Sequence, residues 1–261
     1  MVLNRAASGR RQVVELCSIE RVAQRRIPRP VEVTFPDGLE YRYQEQSLEQ
    51  ALIQKLARVV TGLRAACVFL EHGLLQEEAA LQRMLDELQQ DISFLAYARM
   101  FDDYADLHRR YLESFYQEEF DLPDSPIDSS QKRPAIPRQK IRAYIAAKEA
   151  TVNEPSRGTR LTRTLSKAYS GFVHAASPQI MNMYGGPRVG FQIRGQVGTP
   201  HQKDHELDLW NYFYRGLISF AEVACVLGDR DQYEKMEAEA MMFARAAGKP
   251  YAAHDTSACR R

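Results

Sequence analysis

The chain has 261 residues, of which 44% are hydrophobic and 26% are charged, and its formal net charge is +1. This composition is typical of a soluble globular protein that can bury a sizeable core. No apolar run approaches the roughly 20 residues that span a bilayer, so we expect neither an integral membrane protein nor a membrane partner. The four cysteines form no CxxC pair, and Cys67 and Cys225 fall in apolar helical patterns, which favours a reduced, cytoplasmic protein.

Residues 1–30 are a basic arm with seven arginines and two glutamates. A secretory signal is excluded because no apolar core follows the basic residues. An organellar transit peptide has a similar composition, so a transit peptide and a partly ordered arm both remain open as interpretations.

Residues 31–44 carry the clear β-strand pattern of the chain. Apolar and polar residues alternate on both sides of the turn sequence Pro36-Asp37-Gly38. Alternation with a period of two around such a turn predicts a β-hairpin. An isolated hairpin is marginal in water, so we expect its apolar face to pack on the helices.

From Ser47 onward, apolar residues recur at three- and four-residue steps, which predicts helices. Ser47 and Gln50 have the capping-box pattern of a helix start. Residues 47–119 are predicted to form an acidic helical hairpin. Its second helical pattern, from about Gln76 to Tyr116, is too long for a typical helix, so we expect a break near Asp102-Asp103.

Residues 120–137 are predicted to be a proline-rich linker loop, and residues 138–247 the second helical part of the same bundle. A frayed tail covers residues 248–261. Helices are predicted at 138–150, 159–181, 202–228 and 230–247, and the one through Trp210 is apolar nearly all round, as central helices are. The predicted fold class is mainly α: a helical bundle of five to seven helices with a small N-terminal β-hairpin.

Charge is distributed unevenly along the chain. From Glu71 to Asp121 there are thirteen acids against four arginines, whereas from Lys132 to Lys167 there are ten bases against two acids. One interpretation is that an acidic helix faces a basic one within the molecule. The other is a basic surface for phosphate or an RNA backbone.

The predicted helix 159–181 carries the first candidate site. Arg163, Lys167, Ser170 and His174 follow one another at steps of four, three and four, so they share a face, and Arg160 lies one turn earlier. The cations are candidates for binding phosphate or RNA. Ser170 and His174 are candidate catalytic residues, with His174 as a general acid or base. The structural alternative is a solvated basic face.

The start of the next helix carries the second candidate site. His201, Asp204, His205 and Asp208 share one helical face, and their side chains suit a divalent metal such as zinc, iron or manganese. One helix rarely completes a metal site, so a further ligand is needed; Glu71, His72 and His108 are candidates. Acids near a helix start are also a common structural feature.

The spacing Tyr169-Ser170-x-x-x-His174 within a helical bundle resembles the last-helix region of HEPN-type proteins, many of which are RNA-cleaving toxins or phage-defence components. The resemblance covers about residues 50–225 and implies a compact helical domain with RNA as a partner. The family's catalytic motif is an Arg followed, after four to six residues, by a His. Seven residues separate Arg64 from His72 and ten separate Arg163 from His174, so the motif is not matched.

We therefore expect a helical-bundle protein that acts by binding, as a homo-oligomer or with a protein partner, with no assignable catalysis and no predicted cofactor. Two alternatives remain. One is a HEPN-like RNA-binding or RNA-cleaving protein that uses Arg163, Lys167 and His174. The other is a metal-dependent enzyme that uses the cluster from His201 to Asp208.

Overall fold

A computed structural model describes residues 26–35, 38–121, 125–134, 136–149 and 169–248. Two strands come first and helices dominate the rest, in the order β1 (Val31–Phe35), β2 (Gly38–Arg42), α1 (Leu48–Glu71), α2 (Leu75–Met100), α3 (Asp106–Tyr116), a 3-10 turn (Pro126–Asp128), α4 (Arg138–Glu149), α5 (Ser177–Met181), β3 (Tyr184–Gly185), β4 (Gly190–Phe191), α6 (Pro200–Val226) and α7 (Arg230–Ala246). Residues 169–173 are also helical. The predicted fold class is confirmed: the protein is mainly helical, with a small antiparallel hairpin near its N-terminus.

The core lies between the three long helices, α1, α2 and α6, each of which packs against the other two. α7 covers a further side of α6, and α4 lies on α2. The largest fully buried side chains come from these five helices: Leu52, Ile53, Leu56, Leu63, Leu85, Ile92, Phe94, Leu95, Ile141, Phe220 and Met236. α6 is central, as its apolar sequence predicted. Trp210 is only partly buried, and its ring stacks on Phe243 with centroids 4.5 Å apart.

The predicted start of α1 is confirmed in detail. The Ser47 hydroxyl accepts from the Gln50 backbone N–H at 3.2 Å, and the Gln50 side chain accepts from the Ser47 backbone N–H at 3.0 Å. This reciprocal pair satisfies two backbone donors that a helix start leaves without partners. The predicted break near Asp102 is confirmed as well, because α2 ends at Met100 and Asp102 adopts a left-handed conformation with φ of 49°.

The predicted single helix over 159–181 is wrong in its second half. Helical residues end at Val173, Ala175 has φ of 51°, and the separate helix α5 begins at Ser177. Pro178 explains the interruption, because proline has no N–H to donate and its ring clashes with the carbonyl four residues earlier in a continuous helix. The backbone N–H of Ala176 instead caps the first helix by donating to the Gly171 carbonyl at 2.9 Å.

The predicted N-terminal hairpin is confirmed, and its strands pair with Val31 opposite Arg42 and Phe35 opposite Gly38. Its surface is more exposed than expected, since Leu39 and Tyr41 face solvent and none of its residues is fully buried. The hairpin is joined to the end of α3 by an ion pair between Arg42 and Glu118. Residues 1–25 of the predicted basic arm, and all but residue 248 of the predicted tail, lie outside the described residues.

The cysteines follow the prediction only in part. Cys67 packs against the core, as expected for a small hydrophobic side chain. Cys225 is disulfide-bonded, so the expectation of a reduced thiol at this position is wrong. Disulfides are rare in reducing compartments. This bond therefore weakens the argument from the sequence that the protein is reduced and cytoplasmic. Among the described helices, none combines the length and apolar character that crossing a bilayer requires.

Candidate functional site

The helical residues 169–173 lie against the first turns of α6, next to the predicted metal-ligand cluster. The Tyr169 hydroxyl donates to Oδ2 of Asp208 at 2.8 Å, and the Phe172 ring packs edge-on against the His205 ring. Tyr169 and Phe172 are three residues apart and share the face toward α6. Ser170 lies on a different face, and His174 is exposed in the turn after the helix. The predicted Ser170–His174 pair is therefore not directed at the α6 cluster.

The predicted phosphate-binding residues have no described position relative to the α6 cluster. Arg160, Arg163 and Lys167 lie outside the described residues. The cationic stripe that they were predicted to form therefore stays a prediction.

A buried carboxyl group orients His205. Nδ1 of His205 lies 2.7 Å from Oε2 of Glu78, which comes from the first turn of α2 and is fully buried. Gln82, one turn further along α2, donates to the other Glu78 oxygen. Burial raises the pKa of the Glu78 carboxyl above its ordinary value, while its hydrogen bond with His205 opposes this rise. The contact fixes the imidazole ring and joins α2 to α6.

The four predicted metal ligands make different contacts and do not converge on one point. His205 is bonded to Glu78 and Asp208 accepts from Tyr169, while His201 and Asp204 are exposed. Within the described ranges, no group of three or more His, Cys, Asp or Glu side chains is arranged to hold a metal ion.

The contact between Glu78 and His205 is one end of a polar seam that follows the α2–α6 interface. Asp86, almost fully buried on α2, accepts from Arg215 of α6 at 2.8 Å and from Gln90 at 2.6 Å. Gln89 donates to the backbone carbonyl of Tyr212 at 3.0 Å. Since buried polar groups are costly without partners, these bonds fix the relative position of the two helices.

The far end of the seam holds a second buried carboxyl group. Both oxygens of Glu222 on α6 accept from the Ser93 hydroxyl, at 3.1 and 3.0 Å. Tyr97 lies one turn beyond Ser93 and donates to Glu149, the last residue of α4, at 3.3 Å. Burial raises the pKa of Glu222 to about 8, and the nearby Glu149 carboxylate adds to the rise. Glu222 is therefore mainly protonated at neutral pH.

Two cations of α4 pair with the acidic segment that precedes it. Arg138 of α4 forms an ion pair with Asp91 of α2, whose second oxygen lies 3.0 Å from the buried Lys55 ammonium. Arg142 donates to Gln90 at 3.0 Å, and Lys148 pairs with Asp103. Intramolecular charge complementarity, one of the two sequence interpretations, is thus confirmed for α4. Each of Arg138, Arg142 and Lys148 has a partner on or just after α2.

A feature that the sequence analysis did not single out lies between α5 and α6. Residues 181–197, named here the apolar hairpin, expose six large apolar side chains to between 45% and 76% of their full surface: Met181, Tyr184, Val189, Phe191, Ile193 and Val197. Tyr184 and Phe191 are cross-strand partners of β3 and β4, with ring centroids 5.1 Å apart. No Asp or Glu occurs from Val173 to Lys203, whereas two arginines fall inside the hairpin.

The apolar hairpin is anchored to the end of α1 by a close backbone approach. The Gln196 N–H donates to the Gly73 carbonyl at 2.8 Å, and the buried Gln196 side chain donates to the Asn182 carbonyl at 2.7 Å. Gly195 has φ of 105°, and a Cβ there would collide with the His72 carbonyl oxygen. Glycine is required at this position both for its backbone conformation and for the contact. The exposed side chains therefore project from a firmly held base.

A groove of ≈ 590 Å³ lies near the opposite end of α1, between the N-terminal hairpin and the end of α3. Aromatic rings line much of it: Phe35, Tyr41, Tyr43, Phe115 and Tyr116. Arg42 and Arg133 also line it, but Arg42 pairs with Glu118 and Arg133 donates to the Gln117 carbonyl at 2.8 Å. The Tyr116 hydroxyl donates to the Ser47 carbonyl at 2.7 Å, which places the groove beside the first turn of α1.

Comparison with protein-family models, curated proteins and solved structures finds no match. The resemblance to HEPN-type proteins therefore stays an expectation from the sequence.

The sequence contained a signal for the apolar hairpin that we did not use. The glycines of this segment do not fit the pattern of a phosphate-binding loop. Alternation of Val189, Phe191 and Ile193 beside a Gly-Gly pair is instead the pattern of a short hairpin. The polar seam had a weaker signal, because Glu78, Gln82 and Asp86 recur every four residues along α2.

Proposed function

We propose that this protein acts by binding another protein through the apolar hairpin, and we assign it no catalysis. The observation that carries the proposal is the set of large exposed apolar side chains on a tightly anchored backbone. Contiguous exposed apolar surface is uncommon on monomeric proteins and marks interaction sites. A base that is already ordered reduces the conformational entropy lost on binding.

The titratable groups in the bundle support a structural role for the interior. His205 is bonded to Glu78, Asp86 to Arg215, and Glu222 to Ser93, so each of these groups joins α2 to α6. Catalysis by such groups requires access to a substrate. Their mutual pairing instead favours a rigid scaffold that presents its binding surface outside the interior.

The test compares two substitutions of exposed isoleucines. Ile193→Asp places a charge in the apolar hairpin, whereas Ile127→Asp places the same charge on the 3-10 turn, where Ile127 is 98% exposed. Sedimentation velocity over a range of protein concentrations, together with affinity capture using each form as bait, gives the readout. We expect Ile193→Asp to lose association that the unchanged protein and Ile127→Asp both retain. If all three forms are monomeric and capture the same proteins, the proposal is wrong.

A further inference from the structure

The apolar surface of the hairpin is bordered by two arginines. Arg188 and Arg194 directly flank residues 189–193, and both are exposed. Among the residues that the structure describes, neither of these guanidinium groups has an ion-pair or hydrogen-bond partner. Exposed arginines of the bundle can pair, as Arg99 on α2 does with Glu49. The two arginines of the hairpin are therefore available to another molecule.

The position of these arginines restricts the charge of whatever covers the hairpin. Covering residues 189–193 removes water from the neighbouring guanidinium groups. A charge taken out of water is costly unless it gains a partner of opposite sign. The hairpin offers none, because no Asp or Glu occurs from Val173 to Lys203. The covering surface must therefore supply anionic groups, which a second copy of the hairpin does not have.

The two faces of the hairpin differ in their side chains. Tyr184 and Phe191 form one cross-strand pair of β3 and β4, and Gly185 and Gly190 form the next. Successive residues of a strand point to opposite faces. The aromatic rings therefore share one face, whereas the opposite face has no side chain at the glycine pair. The apolar contact surface is one-sided.

The surroundings of the base favour a protein over an anionic bilayer as the covering surface. Gln196 is bonded to Gly73, two residues after the exposed Glu71 of α1, and Glu77 is exposed in the first turn of α2. An anionic bilayer has the same charge throughout, so a bilayer lying against the apolar face also approaches these carboxylates. A protein surface can place carboxylates beside the two arginines and leave the region near the base uncharged.

We propose that the partner of the apolar hairpin is a different protein with an apolar recess bordered by carboxylates, which pair with Arg188 and Arg194. This inference rests on the proposed function, which makes the hairpin the docking element, and it adds the chemistry of the partner. The apolar side chains supply the centre of the contact, and the ion pairs at its edge select the partner. Arginine suits this task because its guanidinium group binds a carboxylate through two parallel hydrogen bonds.

The inference is tested with three synthetic peptides of equal length that form the same amphipathic helix. Each has leucine and phenylalanine on one face, and its other positions are glutamate in the first peptide, glutamine in the second and lysine in the third. Fluorescence anisotropy gives the Kd of each peptide at physiological ionic strength, where exposed charges more than about 8 Å apart are largely screened. We expect the glutamate peptide to bind about tenfold more tightly than the glutamine peptide, as two exposed ion pairs allow. The lysine peptide should bind most weakly.

Two charge-reversed variants show where on the protein the charge acts. Arg188→Glu with Arg194→Glu should bind the lysine peptide more tightly than the glutamate peptide. Arg110→Glu with Lys235→Glu is the matched control, because it makes the same change in net charge at exposed cations of α3 and α7. This control should keep the order of the unchanged protein. Ile193→Asp should bind all three peptides weakly, and thermal unfolding of each variant checks that the bundle is folded.

Each other result overturns the inference in a recognisable way. If the glutamate peptide binds no more tightly than the other two, or if none of the three binds, the acidic partner is wrong. Loss of protein capture by Ile193→Asp would then still support the proposed function. If the unchanged protein self-associates in sedimentation and Ile193→Asp does not, a second copy covers the hairpin, and the proposed function again stands without the acidic partner.

Two results would overturn the inference and the proposed function together. One is that the unchanged protein sediments with vesicles of phosphatidylcholine and phosphatidylserine, and that Ile193→Asp does not, because the hairpin would then bind a bilayer. The other is that Ile193→Asp binds the peptides and captures the same proteins as the unchanged protein does.

Discussion

The substitution Glu222→Gln is predicted to change how the stability of the protein depends on pH. Glu222 is buried on α6, accepts from Ser93, and has a pKa raised from 4.5 to about 8. Between these values the folded protein holds a proton that the unfolded chain has released. The free energy of unfolding therefore falls as the pH rises through this window, by about 1.4 kcal/mol per pH unit.

Over the whole window the loss amounts to about 5 kcal/mol, and it is complete above the folded-state pKa. Glutamine has the shape of the protonated carboxyl group and does not titrate. We expect the variant and the unchanged protein to have similar stabilities at pH 5. At pH 8 and above, the variant should be more stable by several kcal/mol, on the order of the loss just given.

The assay is chemical denaturation at a series of pH values from 5 to 9, with the difference in unfolding free energy between the two forms as the result. Taking the difference removes the titrations of groups that do not interact with Glu222. Glu119→Gln is the control, because Glu119 is exposed after α3 and its replacement should leave the pH dependence unchanged. A difference between Glu222→Gln and the unchanged protein that does not vary with pH would refute the reasoning.

Three further predictions concern the hairpin anchor, the polar seam and the candidate metal ligands. Gly195→Ala should lower the free energy of unfolding by roughly 3 kcal/mol, because it combines backbone strain with a collision against the His72 carbonyl oxygen. Gly198 has φ of 78° but open space around it, so Gly198→Ala should lower the free energy of unfolding by only about 1 kcal/mol in the same denaturation assay. Arg215→Met should cost roughly 3–5 kcal/mol because it leaves a buried aspartate without its cation. Arg230→Met removes an exposed pair and should cost less than about 1 kcal/mol; equal losses for the two arginines would contradict this account of the seam. Elemental analysis of protein purified without chelator should find less than one metal ion per chain, and a full equivalent lost on mutation within His201–Asp208 would contradict the observed pairing.

The helices could be predicted from the sequence where local chemistry decides the structure. The capping box at Ser47 and the three- and four-residue apolar steps specify α1 without reference to any other element. The break at Asp102 followed from the implausible length of the pattern. The error at 174–176 came from following the apolar steps through Pro178, although proline is a local signal that was available.

The site was less predictable because it depends on contacts between distant parts of the chain. His205 was recognised as a candidate ligand, but its partner Glu78 lies 127 residues away in sequence. The same holds for Asp86 with Arg215, which are 129 residues apart. Spacing within one helix reveals which residues share a face. It does not reveal which helix that face meets.

Amide hydrogen exchange at low and high protein concentration, with and without the proteins recovered by affinity capture, is the most direct test of whether the apolar hairpin is a docking element. If it is, amides of residues 184–197 gain protection at high concentration or with a captured protein, while those of α7 do not change. The same exchange rates in residues 184–197 under all of these conditions would contradict the proposal.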